Sequence, residues 1–165
     1  QSAHLELAFP FFLEKPAPVT GKTGLMDYHA LFDATANGDE IDFVLEVIAN
    51  VTTLCPCSKA ISSNGAHNQR GQVTVKLRSV DTVWIEDVID LIEASGSSEL
   101  YSLLKRPDEK HVTERAYANP VFVEDLVRNV AMRLNAHSNV TWYKVEAENF
   151  ESIHNHNAYA CIEKG

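Results

Sequence analysis

The chain has 165 residues, 45% hydrophobic and 22% charged, enough for one domain with a real core. Its formal net charge of -9 argues against general nucleic-acid binding, which needs a basic surface, but leaves room for one anionic small molecule. No apolar run approaches the ~20 residues of a membrane span, and the first residues lack the basic start and apolar centre of a signal peptide, so a cytoplasmic location is expected.

Along the chain, His4 to Leu13 mixes apolar and polar positions as a strand would. Lys15-Pro16-Ala17-Pro18 breaks that pattern and Gly21-Lys22-Thr23-Gly24 reads as a turn, a candidate boundary. Met26 to Thr35 and Glu40 to Thr52 are rich in β-branched and aromatic residues, and Asn37-Gly38-Asp39 between them signals a long antiparallel hairpin. Pro56 lacks a backbone donor and ends the second strand. Ser62 to Gly71 reads as a polar loop and Gln72 to Val80 as a half-buried strand. Trp84 to Ala94 changes to helical spacing, with Val88, Ile89, Leu91 and Ile92 as its apolar stripe and Gly96 closing it.

A second helix is expected over Ser98 to Lys105. A third follows Pro120, from Val121 to Leu134, turning Leu126, Val130 and Met132 to the core and placing Glu124 and Asp125 at the positive end of its dipole. Val140 to Ala147 and Ala158 to Ile162 return to strand pattern. Strands, then helices, then strands imply an α+β domain, an antiparallel sheet with helices on one face.

Three cysteines do not make a disulfide framework, and Cys55 and Cys57 are too close in sequence to bridge each other without strain. Cys161, between Ala160 and Ile162, is expected to be a small buried hydrophobe. Cys55-Pro56-Cys57-Ser58-Lys59 and Gly65-Ala66-His67-Asn68-Gln69-Arg70 concentrate thiols, an imidazole, cations and an amide at one strand end. With Glu109, Glu151, His154 and His156 they form a donor pool suited to a first-row metal, and the lack of a second close cysteine pair favours an open site over a closed one. In an extended His154-Asn155-His156 both imidazoles face the same way, with Glu151 near enough to orient one. The residues alone also fit plainer roles: a surface histidine pair, a solvated Glu109, a dipole-stabilising Glu124, and Lys59, Arg70 and Arg115 as surface charge.

Four separated motifs resemble the type IB GTP cyclohydrolases. They are Thr52 to Lys59 continuing to Arg70, Lys105-Arg106-Pro107-Asp108-Glu109, Phe122-Val123-Glu124-Asp125, and Glu151-Ser152-Ile153-His154-Asn155-His156. The resemblance implies a tunnelling fold in bimodular subunits, forming a homotetramer with active sites at subunit interfaces. Residues 1–24 would then be the tail of a preceding module and residues 25–165 the module with the active-site motifs. It implies conversion of GTP to 7,8-dihydroneopterin triphosphate and formate, the entry to folate biosynthesis. By the same resemblance Cys55, His67 and Glu109 hold zinc or manganese, with iron an alternative. Cys57 is a second active-site thiol, and Glu151, His154 and His156 move protons. Glu124 grips guanine, and Arg70, Lys59 and Arg115 are candidates for the triphosphate. Two other readings stay open: a ferrous archaeal-type relative giving a cyclic phosphate, and a non-catalytic metal-binding assembly domain.

Overall fold

A computed structural model describes residues 2–165. Its strands are β1 (Ser2–Pro16), β2 (Thr23–Asn37), β3 (Glu40–Leu54), β4 (Asn68–Ser79), β5 (Ser98–Glu99), β6 (Val140–Asn149) and β7 (Ala158–Lys164). Its helices are α1 (Pro56–Ile61), α2 (Ile85–Glu93), α3 (Arg106–Ala118) and α4 (Val123–Ala136). The strands form one antiparallel sheet in the order β1-β2-β3-β4-β6-β7, with β5 added beside β3. Among the described residues no helix is long and apolar enough to cross a membrane.

Strand alternation turns Leu45, Val47, Ala49 and Val51 of β3, Val73, Val75 and Leu77 of β4, and Tyr143, Val145 and Ala147 of β6 to one face. The apolar stripes of α2 (Val88, Ile89, Ile92) and α4 (Leu126, Val127, Val130, Leu134) close over that face. The opposite face carries cross-strand charge pairs such as Glu46 with Lys76 at 2.8 Å. This is the α+β arrangement expected from the sequence.

The hairpin between β2 and β3 turns through Gly38 at φ 62, in the left-handed region that glycine enters without a steric penalty. The last β2–β3 pair is His29 with Ile48, which frees that edge of β3 for β5, paired at Val51 and Thr52. Gly96 lets the chain approach there: a Cβ on it would lie 2.6 Å from the Cβ of Val51. β1 is bonded to β2 along its whole length, from Ser2 opposite Asn37 to Pro16 opposite Thr23. The turn before residue 24 therefore joins two strands of one sheet, and Pro10 is accommodated because β1 is an edge.

Four local expectations differ from the structure. Ser98 to Lys105 is not a helix but β5 and an irregular segment, and the helix that follows, α3, buries only Asp108 and Ala116, so it has no apolar stripe to show in the sequence. The loop expected over Ser62 to Gly71 is shorter, because Asn68 to Gly71 already pair with β3 as the start of β4. Met132 is exposed, because the buried side of α4 follows Leu126, Val130 and Leu134 at i, i+4 and i+8. Cys161 is exposed as well: β7 packs Ala158, Ala160 and Ile162 on the core, so alternation sends Cys161 outward.

Asp108 ties α3 to the β1–β2 turn. Its buried carboxylate accepts from the backbone N–H of Val19 (2.9 Å), Thr20 (2.8 Å) and Lys105 (2.9 Å) and from the Thr20 hydroxyl (2.7 Å). Burial alone would raise its pKa, but these donors outweigh burial and hold it well below the usual 3.8. A carboxylate depressed in the folded state stabilises it above the ordinary value and loses that contribution as pH falls through the folded one. Asp108→Asn is therefore expected to lower the urea midpoint at pH 7 and to flatten its decline below pH 3.8, measured by urea titrations across the acid range.

Candidate active site

The site begins where β3 ends. The Leu54 N–H donates to Ser97 Oγ (3.0 Å) and its carbonyl accepts from the Val121 N–H (3.1 Å), so both backbone groups before Cys55 are fixed by distant segments. The Cys55 N–H donates to the His67 carbonyl (3.1 Å), extending the β3–β4 pairing by one rung and setting thiol and imidazole residues side by side. Cys55 then caps α1: its carbonyl accepts from the Lys59 N–H (3.1 Å), its Sγ from the Ser58 N–H (3.4 Å), and Pro56 takes the first helical position, where no donor is needed. Ser58 Oγ in turn accepts from the His67 N–H (3.2 Å).

His67 is held by a second hydrogen-bond chain. The Gln69 amide donates to Thr53 Oγ1 (3.0 Å), which turns its oxygen to His67 Nδ1 at 2.9 Å. Nδ1 then carries the proton, and Nε2 keeps a free lone pair, the state an imidazole needs to bind a metal. Glu151 Oε2 lies 3.9 Å from the same Nδ1, and both side chains are largely buried. The His154 ring meets His67 edge-on at 6.3 Å between centroids and stacks on His156 at 5.1 Å. The two histidines stack on each other but both are exposed, and residues 151–156 are bends in the β6–β7 connection and not the extended segment expected.

A recess of about 170 Å³ opens here, lined by Cys55, Gln69, Glu124, Asn149, Glu151 and the Val121–Val123 segment. It joins the ends of β3, β4 and β6 to the start of α4, whose Phe122 cap makes no side-chain hydrogen bond. Glu124 sits in the first turn of that helix, exposed, where the dipole favours its charge. A larger groove of about 460 Å³, lined by Phe11, Phe32, Phe43 and Trp84, holds none of the candidate residues.

The remaining candidates are placed differently. Cys57 is exposed in the first turn of α1. Lys59 Nζ bonds the Tyr117 carbonyl (2.5 Å) and lies over the Tyr117 ring, and Arg115 pairs with Glu99 at 3.0 Å. Arg70 is exposed on β4 with no ion pair among the described residues. Glu109 pairs with Arg106 at 3.1 Å on the exposed side of α3, roughly 12 Å along the helix from Tyr117.

Thiol and imidazole donors in this arrangement suit a zinc-like ion. Cys55 and His67 form such a pair, yet among the described residues no three His, Cys, Asp or Glu side chains converge on one point. The structure does not bring Glu109 to the pair. Four residues with site roles had no role in the sequence reading: Ser58, Gln69, Ser97 and Asn149. Ser58 and Gln69 lie within the motif itself, but their partners are set by pairing across β3 and β4.

The fold and the sequence both have known counterparts. A urate oxidase from Bacillus sp. TB-90 superposes with a TM-score of 0.52 at 10% identity, covering 99% of this chain and 65% of that one, a likeness of fold consistent with the tunnelling fold. The GTP cyclohydrolase FolE2 of Syntrophus aciditrophicus is 62% identical over 164 residues, covering 99% of this chain and 64% of the relative. That of Akkermansia muciniphila is 64% identical over 165 residues, covering 98% of this chain and 62% of the relative. The chain thus spans less than two thirds of these relatives. The family model described as type I GTP cyclohydrolase folE2 matches residues 1–160. With every motif of the site inside that span, the chain belongs to the type I GTP cyclohydrolase FolE2 family.

Proposed function

We propose that this chain carries the catalytic residues of a type IB GTP cyclohydrolase that converts GTP and water to 7,8-dihydroneopterin triphosphate and formate for folate biosynthesis. The observation that carries the reading is the single recess in which Cys55, Glu124 and Glu151 meet, with His67 at 3.9 Å from Glu151. Glu124 accepts N1–H and one hydrogen of the 2-amino group of guanine, which adenine cannot match. The opposite end of the purine, with C8, then faces Cys55 and His67. Cys55 and His67 hold a divalent ion, zinc or manganese with iron an alternative, which supplies Lewis acidity and makes water nucleophilic near neutral pH. Glu109 completes that ligand set from a second copy of the chain, because α3 does not bring it to the Cys55 and His67 pair of its own chain. This agrees with a homotetramer whose sites lie between subunits.

Glu151 orients His67 and accepts protons beside it, while His154 and His156, stacked at 5.1 Å, carry protons between the reacting carbon and solvent. Cys57, exposed in the first turn of α1, is the second thiol of the proposed site. Of the three cations, Arg70 is the candidate for the triphosphate that no ion pair among the described residues engages, whereas Lys59 bonds Tyr117 and Arg115 pairs with Glu99.

The test is stoichiometric formate release from GTP by the full-length protein, with product identified by mass and metal content measured on the same sample. Formate with dihydroneopterin triphosphate supports the reading, and a cyclic phosphate product transfers it to the archaeal-type reaction. GTP-independent metal binding without formate under zinc, manganese or iron leaves the non-catalytic domain.

A further inference from the structure

The end of β3 that carries Cys55 runs past its neighbours on one edge. β2 leaves β3 after Ile48, and β5 pairs only with Val51 and Thr52. Backbone donors alternate in direction along a strand, and the Cys55 N–H points to β4, onto the His67 carbonyl, so the Leu54 N–H points to the open edge. Leu54 is buried, out of reach of water, and that donor needs an acceptor from the protein. Ser97, itself fully buried, supplies it: Oγ accepts the Leu54 N–H at 3.0 Å while the Ser97 N–H donates to the Thr52 carbonyl at 2.8 Å. The hydroxyl thus replaces the backbone carbonyl that a further strand would have offered. Asn119 holds the turn in place, its amide donating to the Gly96 carbonyl at 2.9 Å. Of the bonds to the backbone groups before Cys55, those with the Val121 N–H and the His67 carbonyl are main chain, and the Ser97 hydroxyl is the one a substitution can remove.

We propose that Ser97 is a positioning residue for the metal, its hydroxyl fixing the end of β3 so that the Cys55 thiol stays directed at the ion it shares with His67. This rests on the reading of Cys55 and His67 as ligands above. The direction of the Cys55 side chain follows from the backbone that enters it, which stands at φ -68 and ψ 117 at Cys55. Without its acceptor the buried Leu54 N–H turns to find another, and rotation about the Leu54 backbone carries the thiol with it. Groups that orient a ligand without touching the ion commonly tune metal affinity 10- to 100-fold.

The test is zinc retention by the zinc-loaded, full-length protein against a graded series of chelator, beside the near-ultraviolet thiolate absorption of the cobalt-substituted form. Ser97→Ala is expected to release zinc at about 10-fold lower chelator and to weaken the thiolate absorption at equal cobalt content. Ser97→Thr keeps the acceptor and should keep both. Ser95→Ala is the matched control, two residues away: Ser95 is 2% exposed and its hydroxyl donates to the Leu91 carbonyl at 2.7 Å, away from β3. It should lower the melting temperature without moving zinc retention or the cobalt spectrum. Zinc release and cobalt spectrum unchanged in Ser97→Ala overturn the inference alone. A Ser97→Ala protein that loses its fold by circular dichroism, or zinc lost equally from Ser95→Ala, assigns Ser97 a structural role and overturns the inference. Zinc retained in both Cys55→Ala and His67→Ala overturns the ligand reading and the inference with it.

Discussion

Cys55→Ala and His67→Ala are each expected to lose the bound divalent ion and to lower formate release from GTP by at least about 100-fold, since even outer-sphere changes at metal sites cost 10- to 100-fold. The fold should survive both changes. Cys55 is tied in by its backbone, through the His67 carbonyl and the Lys59 N–H, and its Sγ adds one long capping contact of 3.4 Å. His67 is likewise anchored by its main chain to Ser58 and Cys55. Circular dichroism unchanged from the wild type, beside metal content near zero, is the expected pair of measurements. Cys57→Ala and Cys161→Ala serve as controls that keep the metal, because both thiols are exposed and outside the strand-end pair. Metal content unchanged in both Cys55→Ala and His67→Ala would refute the assignment of the pair as ligands.

Glu124→Gln is the second large effect: kcat/KM for GTP should fall on the order of 10²- to 10⁴-fold, from the loss of two charge-assisted hydrogen bonds. The replacement turns one acceptor into a donor that meets N1–H or the amine head-on, so the loss exceeds that of simple truncation of one contact. Stability should change by less than about 1 kcal/mol, the scale of a dipole contribution at an exposed first-turn position that Asp125 still occupies in part. A thermal melt and nucleotide titration on one preparation separate the two effects. Unaltered kcat/KM would remove Glu124 from the base site and return it to helix stabilisation.

Much of the sheet was legible because its signals are local. The alternation of Val73, Val75 and Leu77, the Asn37-Gly38-Asp39 turn and the i, i+4 spacing of Leu126, Val130 and Leu134 each encode an element by period or by backbone demand. Elements with no apolar pattern were not legible. α3 is polar on nearly every side and is held by Asp108 reaching back to Val19 and Thr20, a contact across 88 residues from Thr20. β5 exists because β2 leaves β3 after Ile48, which is a fact about a third strand and not about Ser98 and Glu99.

The same division runs through the site. Sequence by itself put forward the residue types of the candidate site: the thiol of Cys55 at a strand end before Pro56, the imidazole of His67 and the close pair His154 and His156 from donor chemistry and local backbone preference, and the carboxylate of Glu124 only through the family resemblance. Only the tertiary structure decided that Gln69 fixes the His67 tautomer, that Glu109 stays with Arg106 away from the pair, and that Asn149 holds an unpaired oxygen against Gly71. Each of these is set by which strands lie side by side and in what register, and register is fixed by burying the whole sheet face under α2 and α4, which no short stretch of the chain specifies alone.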